Sequence, residues 1–194
     1  MKMKRIGACI TSAAILLAML FTVSCAALNA PSEDEMRREI AQLLPRSYEA
    51  TDLIYGAGAP IEEDFEVDPN WKFSHYAPVA ATSPYKSEED IRLLVESVFT
   101  KDYAEEMYEY AFKGNDDLMS RYNTSEGKLY IDVTKEPLGM ATDIYAETAK
   151  VVSGSAYACL VEIEYSMNGG QTREKMTVRM VKTDDKWYFD GPTY

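Results

Sequence analysis

Thiols, one imidazole and a large stock of carboxylates are the reactive side chains of this sequence. The thiols are Cys9, Cys25 and Cys159, and the imidazole is His75. A cysteine nucleophile needs a base beside it, so Cys159 with His75 is the pair such chemistry would use. Cys159, however, falls mid-run in Tyr157, Cys159, Val161, Ile163 and Tyr165, whose alternation makes one apolar strand face, and it reads as a buried small hydrophobe. His75 follows Trp71, Phe73 and Ser74 near the end of a short strand and reads as a surface or hydrogen-bonded histidine. One histidine and three cysteines are too few soft ligands for a zinc site and form no framework of paired cysteines, so neither a metal nor a cofactor is expected. No GxSxG, HExxH, P-loop or glycine-rich dinucleotide turn occurs.

Two sets of carboxylates remain. Asp132 lies close to Tyr130 on a strand, opposite in face to Leu129 and Ile131. In an apolar pocket its pKa would rise and suit acid or base work; on the open face of the strand it is merely solvated. Glu62, Glu63, Asp64, Glu66 and Asp68 form an acidic loop. Its alternation offers oxygens to Ca²⁺, but Pro69 stands where an Asp-x-Asp-x-Asp-Gly loop needs glycine, so it reads as a solvated charge run that could face a partner. Fourteen tyrosines and two tryptophans suit sugar or protein contacts, though most fall on core faces. Asn123-Thr124-Ser125 matches a glycosylation acceptor.

Bulk composition narrows the partners. The chain has 194 residues, 46% of them apolar, which is enough to build a core. Its 32 acidic and 20 basic residues give a net charge of -12, which argues against nucleic acid and against an anionic membrane surface as partner. Lys2, Lys4 and Arg5 precede an uncharged, mostly apolar run from Ile6 to Val23, the layout of an export signal. That run is marginal for a membrane-spanning helix, which needs about 20 apolar residues. The segment Phe21-Thr22-Val23-Ser24-Cys25-Ala26 resembles a bacterial lipoprotein signal, in which the cysteine is diacylated and becomes the mature N-terminus. It departs from that pattern at Thr22, where Leu, Val or Ile is usual. The competing reading is an ordinary signal peptide cut near Ala26-Ala27 or Ala30, giving a secreted protein. The resulting organisation is a signal at 1–24, a tether at 25–31 and a single α+β domain at 32–194.

Within that domain, Ser32 and Glu35 make a capping box for a first helix, with Met36, Ile40, Leu43 and Leu44 on one face. Pro45 is expected to kink or restart this helix, and Gly56 and Gly58 to stop it. Residues 57–84 read as a long connection with one strand at Trp71 to Tyr76. Ser87 with Asp90 caps a second helix whose stripe is Ile91, Leu94, Val95, Val98 and Phe99. A third runs from Asp102 to Phe112, ended by Gly114, and Asn115 to Gly127 reads as a polar link.

From Lys128 the period becomes two, and β-branched and aromatic residues signal an antiparallel sheet. Leu129, Ile131 and Val133 share one face of its first strand, Tyr145 to Val152 form a second, and Tyr157 to Tyr165 a third. Asn168-Gly169-Gly170 marks a hairpin. A turn at Gly169-Gly170 pairs Ile163 with Met176 and Glu164 with Lys175, whereas one at Asn168-Gly169 pairs Glu162 with Lys175 and Glu164 with Arg173. Either register buries Cys159, Met176, Val178 and Met180. A further turn at Asp184-Asp185 returns Trp187 and Phe189 along the preceding strand. From Lys150 to Tyr194 there are six basic and six acidic residues, so the acidic excess of the mature chain lies in the helical half.

Helices followed by long antiparallel strands ending in Asp185-Lys186-Trp187-Tyr188-Phe189 resemble the cone-shaped, nuclear transport factor 2-like fold, in which a curved sheet wraps the helices. More narrowly, Ile91 to Phe112, Gly127-Lys128-Leu129-Tyr130 and the last two hairpins resemble exported Gram-positive proteins of the IseA type, inhibitors of cell-wall DL-endopeptidases. The resemblance implies a non-catalytic protein at the cell surface, lipid-anchored through Cys25 to the extracytoplasmic face of the membrane, with a cell-wall hydrolase or another envelope protein as partner. Its matching segments are mainly core and turn positions, so it assigns no inhibitory residue. The same fold also hosts small-molecule binders and carboxylate-dependent enzymes, for which Asp132 is the pocket carboxylate to test.

Overall fold

A computed structural model describes residues 29–65, 75–114, 119–137, 142–167 and 172–193. Cys25 and the signal, Glu66, Asp68, Trp71, Phe73 and the Asn168-Gly169-Gly170 turn lie outside the described residues. The chain is α+β, with helices leading into antiparallel strands.

Helix α1 spans Glu33–Tyr55, and the Ser32 hydroxyl accepts the Glu35 backbone N–H at 3.1 Å. Only this half of the expected capping box is seen, because the Glu35 carboxylate accepts the Trp187 indole N–H at 3.0 Å and so ties the helix start to the last strand. The helix also continues through Pro45 as a single helix, without the restart that was one of the two sequence expectations. Pro45 and Ala41, whose carbonyl loses its partner, both face solvent, so that carbonyl is open to water, while Met36, Ile40, Leu44, Ala50 and Ile54 stay buried on the other side. The Gly56 N–H donates to the Asp52 carbonyl and closes the helix.

Strand β1 is Tyr76–Pro78. Helix α2 is Glu88–Glu96, with the full capping box between Ser87 and Asp90. Its expected stripe is buried throughout, although Val98 and Phe99 lie past the helix end, where Phe99 bridges Phe189. Helix α3, Lys101–Tyr108, widens into a π turn at Glu109–Lys113 and stops at Gly114.

The strands make two sheets rather than one. β2 (Tyr122–Ser125), β3 (Lys128–Asp132) and β1 pair in the order β1-β3-β2. β4 (Thr142–Gly154), β5 (Ala158–Met167), β6 (Arg173–Thr183) and β7 (Lys186–Phe189) form a meander in sequence order. β2 falls in the segment expected to be a polar link, and the left-handed Glu126 and Gly127 make the tight turn that pairs it with β3. Val133, assigned from sequence to the same face as Leu129 and Ile131, lies beyond the strand and is exposed. The β5–β6 ladder places Ile163 opposite Met176 and Val161 opposite Val178, the register of a turn at Gly169-Gly170.

Cys159, Val161, Ile163, Val178, Met180, Trp187 and Phe189 from the meander share one continuous core with Met36 and Ile40 of α1 and Ile91, Leu94 and Val95 of α2. Both meander edges are covered in part. The Ile144 N–H of β4 donates to the Tyr48 hydroxyl at 2.8 Å, and the Ala149 carbonyl accepts from Arg37 Nε at 3.2 Å, so α1 caps that edge. On β7, the Phe189 N–H donates to the Val98 carbonyl and the Phe189 carbonyl accepts the Thr100 N–H, each at 2.9 Å. Unpaired strand edges invite other chains, and these side chains and loops close part of each.

Candidate functional site

Asp132 ends β3 directly opposite Tyr76 of β1, and it is 3% exposed rather than solvated. Its Oδ1 accepts the Thr134 backbone N–H at 2.9 Å and the Thr134 hydroxyl at 2.6 Å, which turns the chain out of the strand. The Tyr76 hydroxyl donates to the Ser120 carbonyl at 2.6 Å. Burial pushes the Tyr76 phenol above its usual range, opposed by its hydrogen bond with the Ser120 hydroxyl, 3.2 Å away, and reinforced by the Asp132 charge. The Lys135 ammonium sits 4.4 Å from the Tyr110 ring centre and is held below its usual range by burial, partly offset by Asp132.

Beside Asp132 is a buried cation that no sequence motif marks. Arg121 is 2% exposed. Its guanidinium donates to the Gly56 carbonyl at 2.7 Å and the Lys135 carbonyl at 2.8 Å, and lies 3.5 Å from the Asp132 backbone carbonyl. The neighbouring Tyr122 hydroxyl donates to the Leu53 carbonyl at 2.8 Å and accepts the Ala59 N–H at 3.0 Å. Burial pushes this phenol up to about 12. Together the two side chains satisfy backbone groups that the end of α1 leaves open. Gly58 permits the close approach: its φ is +83°, and a Cβ there would lie 2.3 Å from Ile131 Cδ1 and 2.8 Å from the guanidinium. The Asp132 surroundings thus form a lock between α1 and the three-stranded sheet. Tyr122 opens β2 and Arg121 directly precedes it; the Glu126-Gly127 turn before Lys128 is the sequence signal for that strand, though not for the role of Arg121.

The other candidates are not gathered with Asp132. Cys159 is buried on the meander, its Sγ 3.5 Å from Met36 Sδ, and desolvation, with the nearby Glu35 charge, pushes the thiol up to about 11. A thiol raised this far is almost wholly protonated near neutral pH and makes a poor nucleophile. The His75 ring packs 4.7 Å from that of Tyr76, and the His75 carbonyl accepts the Val133 N–H. Glu62, Glu63 and Asp64 of the acidic loop are exposed. Among the described residues, no three His, Cys, Asp or Glu side chains gather closely enough to hold a metal ion, and no helix is long and apolar enough to cross a membrane.

A more extensive acidic surface lies on α2, α3 and the π turn. From Glu88 to Lys113 it carries Glu88, Glu89, Asp90, Glu96, Asp102, Glu105, Glu106 and Glu109 against Arg92, Lys101 and Lys113. Arg92 is laid 4.1 Å above the Tyr108 ring, and Lys113 is paired with Glu109. Leu93 is 60% exposed, and its α-helical neighbours four residues before and three after are Glu89 and Glu96, both exposed. An apolar side chain flanked by carboxylates suits a protein contact better than a reaction. No protein-family model matches this chain, and a search of curated proteins finds no similar sequence.

Proposed function

We propose that this chain is a non-catalytic binding protein of the cell envelope, anchored through Cys25 to the extracytoplasmic face of the membrane, and that it inhibits or modulates a cell-wall hydrolase. The observation that carries the binding role is Leu93, 60% exposed on a helix between Glu89 and Glu96. Such a surface attracts a basic partner over distance and offers it an apolar anchor on contact. The acidic residues Glu62, Glu63 and Asp64 extend the same sign of charge, whereas the segment from Lys150 to Tyr194 is balanced. The lipid anchor rests on the first 25 residues of the sequence, with their basic start, apolar run and cysteine. The order of elements, helices before a meander covered by α1, supports the cone-shaped, nuclear transport factor 2-like arrangement as the finer description of the fold.

The test is digestion of peptidoglycan by a purified DL-endopeptidase with and without this protein at low and high salt. Slower cleavage that is relieved by salt, and lost in Leu93→Arg at unchanged melting temperature, is the expected result. Undiminished cleavage at low salt overturns the inhibitor role.

A second reading is favoured by the burial of Asp132 beside Tyr76: a small-molecule site of the cone fold using that carboxylate. It requires a ligand that displaces Thr134 from Oδ1, and Asp132→Asn would then abolish ligand binding without unfolding the chain.

A further inference from the structure

The connection between β4 and β5 exposes apolar side chains on a well-braced tip. Val152 sits in the register shift between Val151 and Ser153 and is 62% exposed. Tyr157, expected from sequence on the core face of β5, lies before the strand and is 72% exposed, and Leu160 is exposed two positions into it. The brace is local: the Ser155 N–H donates to the Ala158 carbonyl at 2.7 Å, and the Ser155 hydroxyl accepts from the N–H groups of Tyr157 and Ala158. The Lys182 N–H donates to the Tyr157 carbonyl at 2.8 Å and joins the tip to β6. Gly154 closes it, since a Cβ there would meet Cys159 Cβ at 2.5 Å and the Ala158 carbonyl at 2.6 Å. Apolar and aromatic side chains held outward by this many bonds are not residue of poor packing.

The tip stands at the same end of the molecule as the start of α1. Arg37 meets Ala149 and Tyr48 meets Ile144, so α1 runs antiparallel to β4. From Arg37 back to Ser32 the helix advances about 7 Å, whereas from Ala149 on to Gly154 the strand, shortened by the register shift at Val152, advances about 13 Å. The tip at Gly154 therefore projects roughly 6 Å past the first turn of α1. Cys25 precedes Ser32 by seven residues, a chain that spans at most about 25 Å. A bilayer holding Cys25 is within reach of the tip, which meets it ahead of the carboxylates Glu33 and Asp34.

We propose that Val152, Tyr157 and Leu160 seat in the headgroup region of the phospholipid bilayer that anchors the chain, giving the domain a fixed orientation on the membrane. This rests on the lipid anchor at Cys25. Tyrosine is suited to that boundary, with an apolar ring and a polar hydroxyl. The adjoining β6–β7 turn carries Lys182 and Lys186 with Asp184 and Asp185, so the contact is apolar in character and needs no anionic lipid. Between Ile144 and Ala149, α1 takes backbone groups of the β4 edge, so strand addition by a second copy there is disfavoured.

The experiment uses the full chain purified from native membranes and reconstituted into phosphatidylcholine vesicles. An environment-sensitive fluorophore is attached at Ala156→Cys, an exposed position on the tip, and in a second preparation at Glu106→Cys on α3; buried Cys159 stays unlabelled. Mass spectrometry of the N-terminus reads the anchor separately. With a diacylated Cys25, a blue-shifted tip label quenched by spin-labelled lipid, a wet label at position 106, and loss of the shift in Val152→Ser/Tyr157→Ser support the proposal. A wet tip label on acylated protein overturns it and leaves the anchor standing. A shifted label that lipid does not quench, or that depends on protein density, overturns it in favour of a protein contact or a second copy. An unmodified N-terminus overturns the anchor, and the orientation with it.

Discussion

Lys175 lies directly opposite Glu164 across the β5–β6 ladder, yet its ammonium reaches Glu162, at 2.8 Å. Arg173, two residues earlier, takes Glu164 at 3.2 Å. The right-handed twist of paired strands brings one diagonal neighbour close, and long side chains use it. These are the ion pairs that a turn at Asn168-Gly169 would place directly opposite, so complementary charge suits either register, and the backbone ladder is what distinguishes them.

The Glu162–Lys175 pair has a titration signature. A hydrogen bond from Lys175 and its charge hold the Glu162 carboxyl below the usual carboxylate range, and Glu162 holds Lys175 above its own. Both groups are open to solvent, so the effect on stability is small and salt-screened. An NMR titration should show Glu162 titrating low in dilute buffer and returning toward its ordinary value in concentrated salt. A salt-insensitive value would contradict this exposed pairing.

The α2 cap gives a pH-dependent contribution. The Ser87 hydroxyl and then the Lys86 N–H hold Asp90 below the usual carboxylate range. A carboxyl depressed in the folded state adds stability above its unfolded value, about pH 4, and loses it as pH falls through the folded value. Ser87→Ala should cost about 1 kcal/mol at pH 7, since it removes the N-cap side chain. Denaturant melts across pH 2–7 should show Asp90→Asn converging with the parent in acid; a constant difference would exclude Asp90 titration as its cause.

Arg121 should be among the most sensitive positions. Arg121→Met leaves the Gly56 and Lys135 carbonyls without their guanidinium donor, at a cost of about 2–4 kcal/mol from two charge-assisted bonds. Gly58→Ala should cost at least about 1 kcal/mol, as its positive φ and the contact with Ile131 both oppose a Cβ. Urea unfolding of each variant measures this, and parental midpoints would mean that the lock does not hold α1.

Cys159 should resist alkylation. With its thiol pushed up to about 11 and its sulfur against Met36, iodoacetamide should modify it only in denaturant. Native-state modification as fast as that of a free thiol would place Cys159 at the surface.

Val161→Asp and Val95→Asp should each abolish the cooperative melt, because both valines are fully buried and an unpaired charge there costs several kcal/mol, a large part of ordinary domain stability. Parental melting of either variant would mean that its strand or helix faces the other way.

What the sequence determined by itself is what depends on neighbours within a turn or a pair of strands. The Ser87–Asp90 cap, the stripe from Ile91 to Phe99, the alternation of β5 and the Asp184-Asp185 turn all follow from local periodicity and capping chemistry, and the structure contains each of them. Where a distant element supplies the partner, the local pattern was silent or misleading. Pro45 stays helical because its solvent side tolerates a lost bond and its opposite side is buried against the sheet. Tyr122–Ser125 is polar in sequence and becomes a strand only because β3 is there to pair with it. Asp132 is buried because β1 and the Thr134 turn enclose it, although the alternation of β3 alone pointed it outward. Arg121 acquires its role from carbonyls at Gly56 and Lys135, and nothing near it in sequence foretells that a cation will be needed to satisfy the end of α1. Buried backbone groups must find partners wherever the chain happens to bring them, and that accounting closes only in three dimensions.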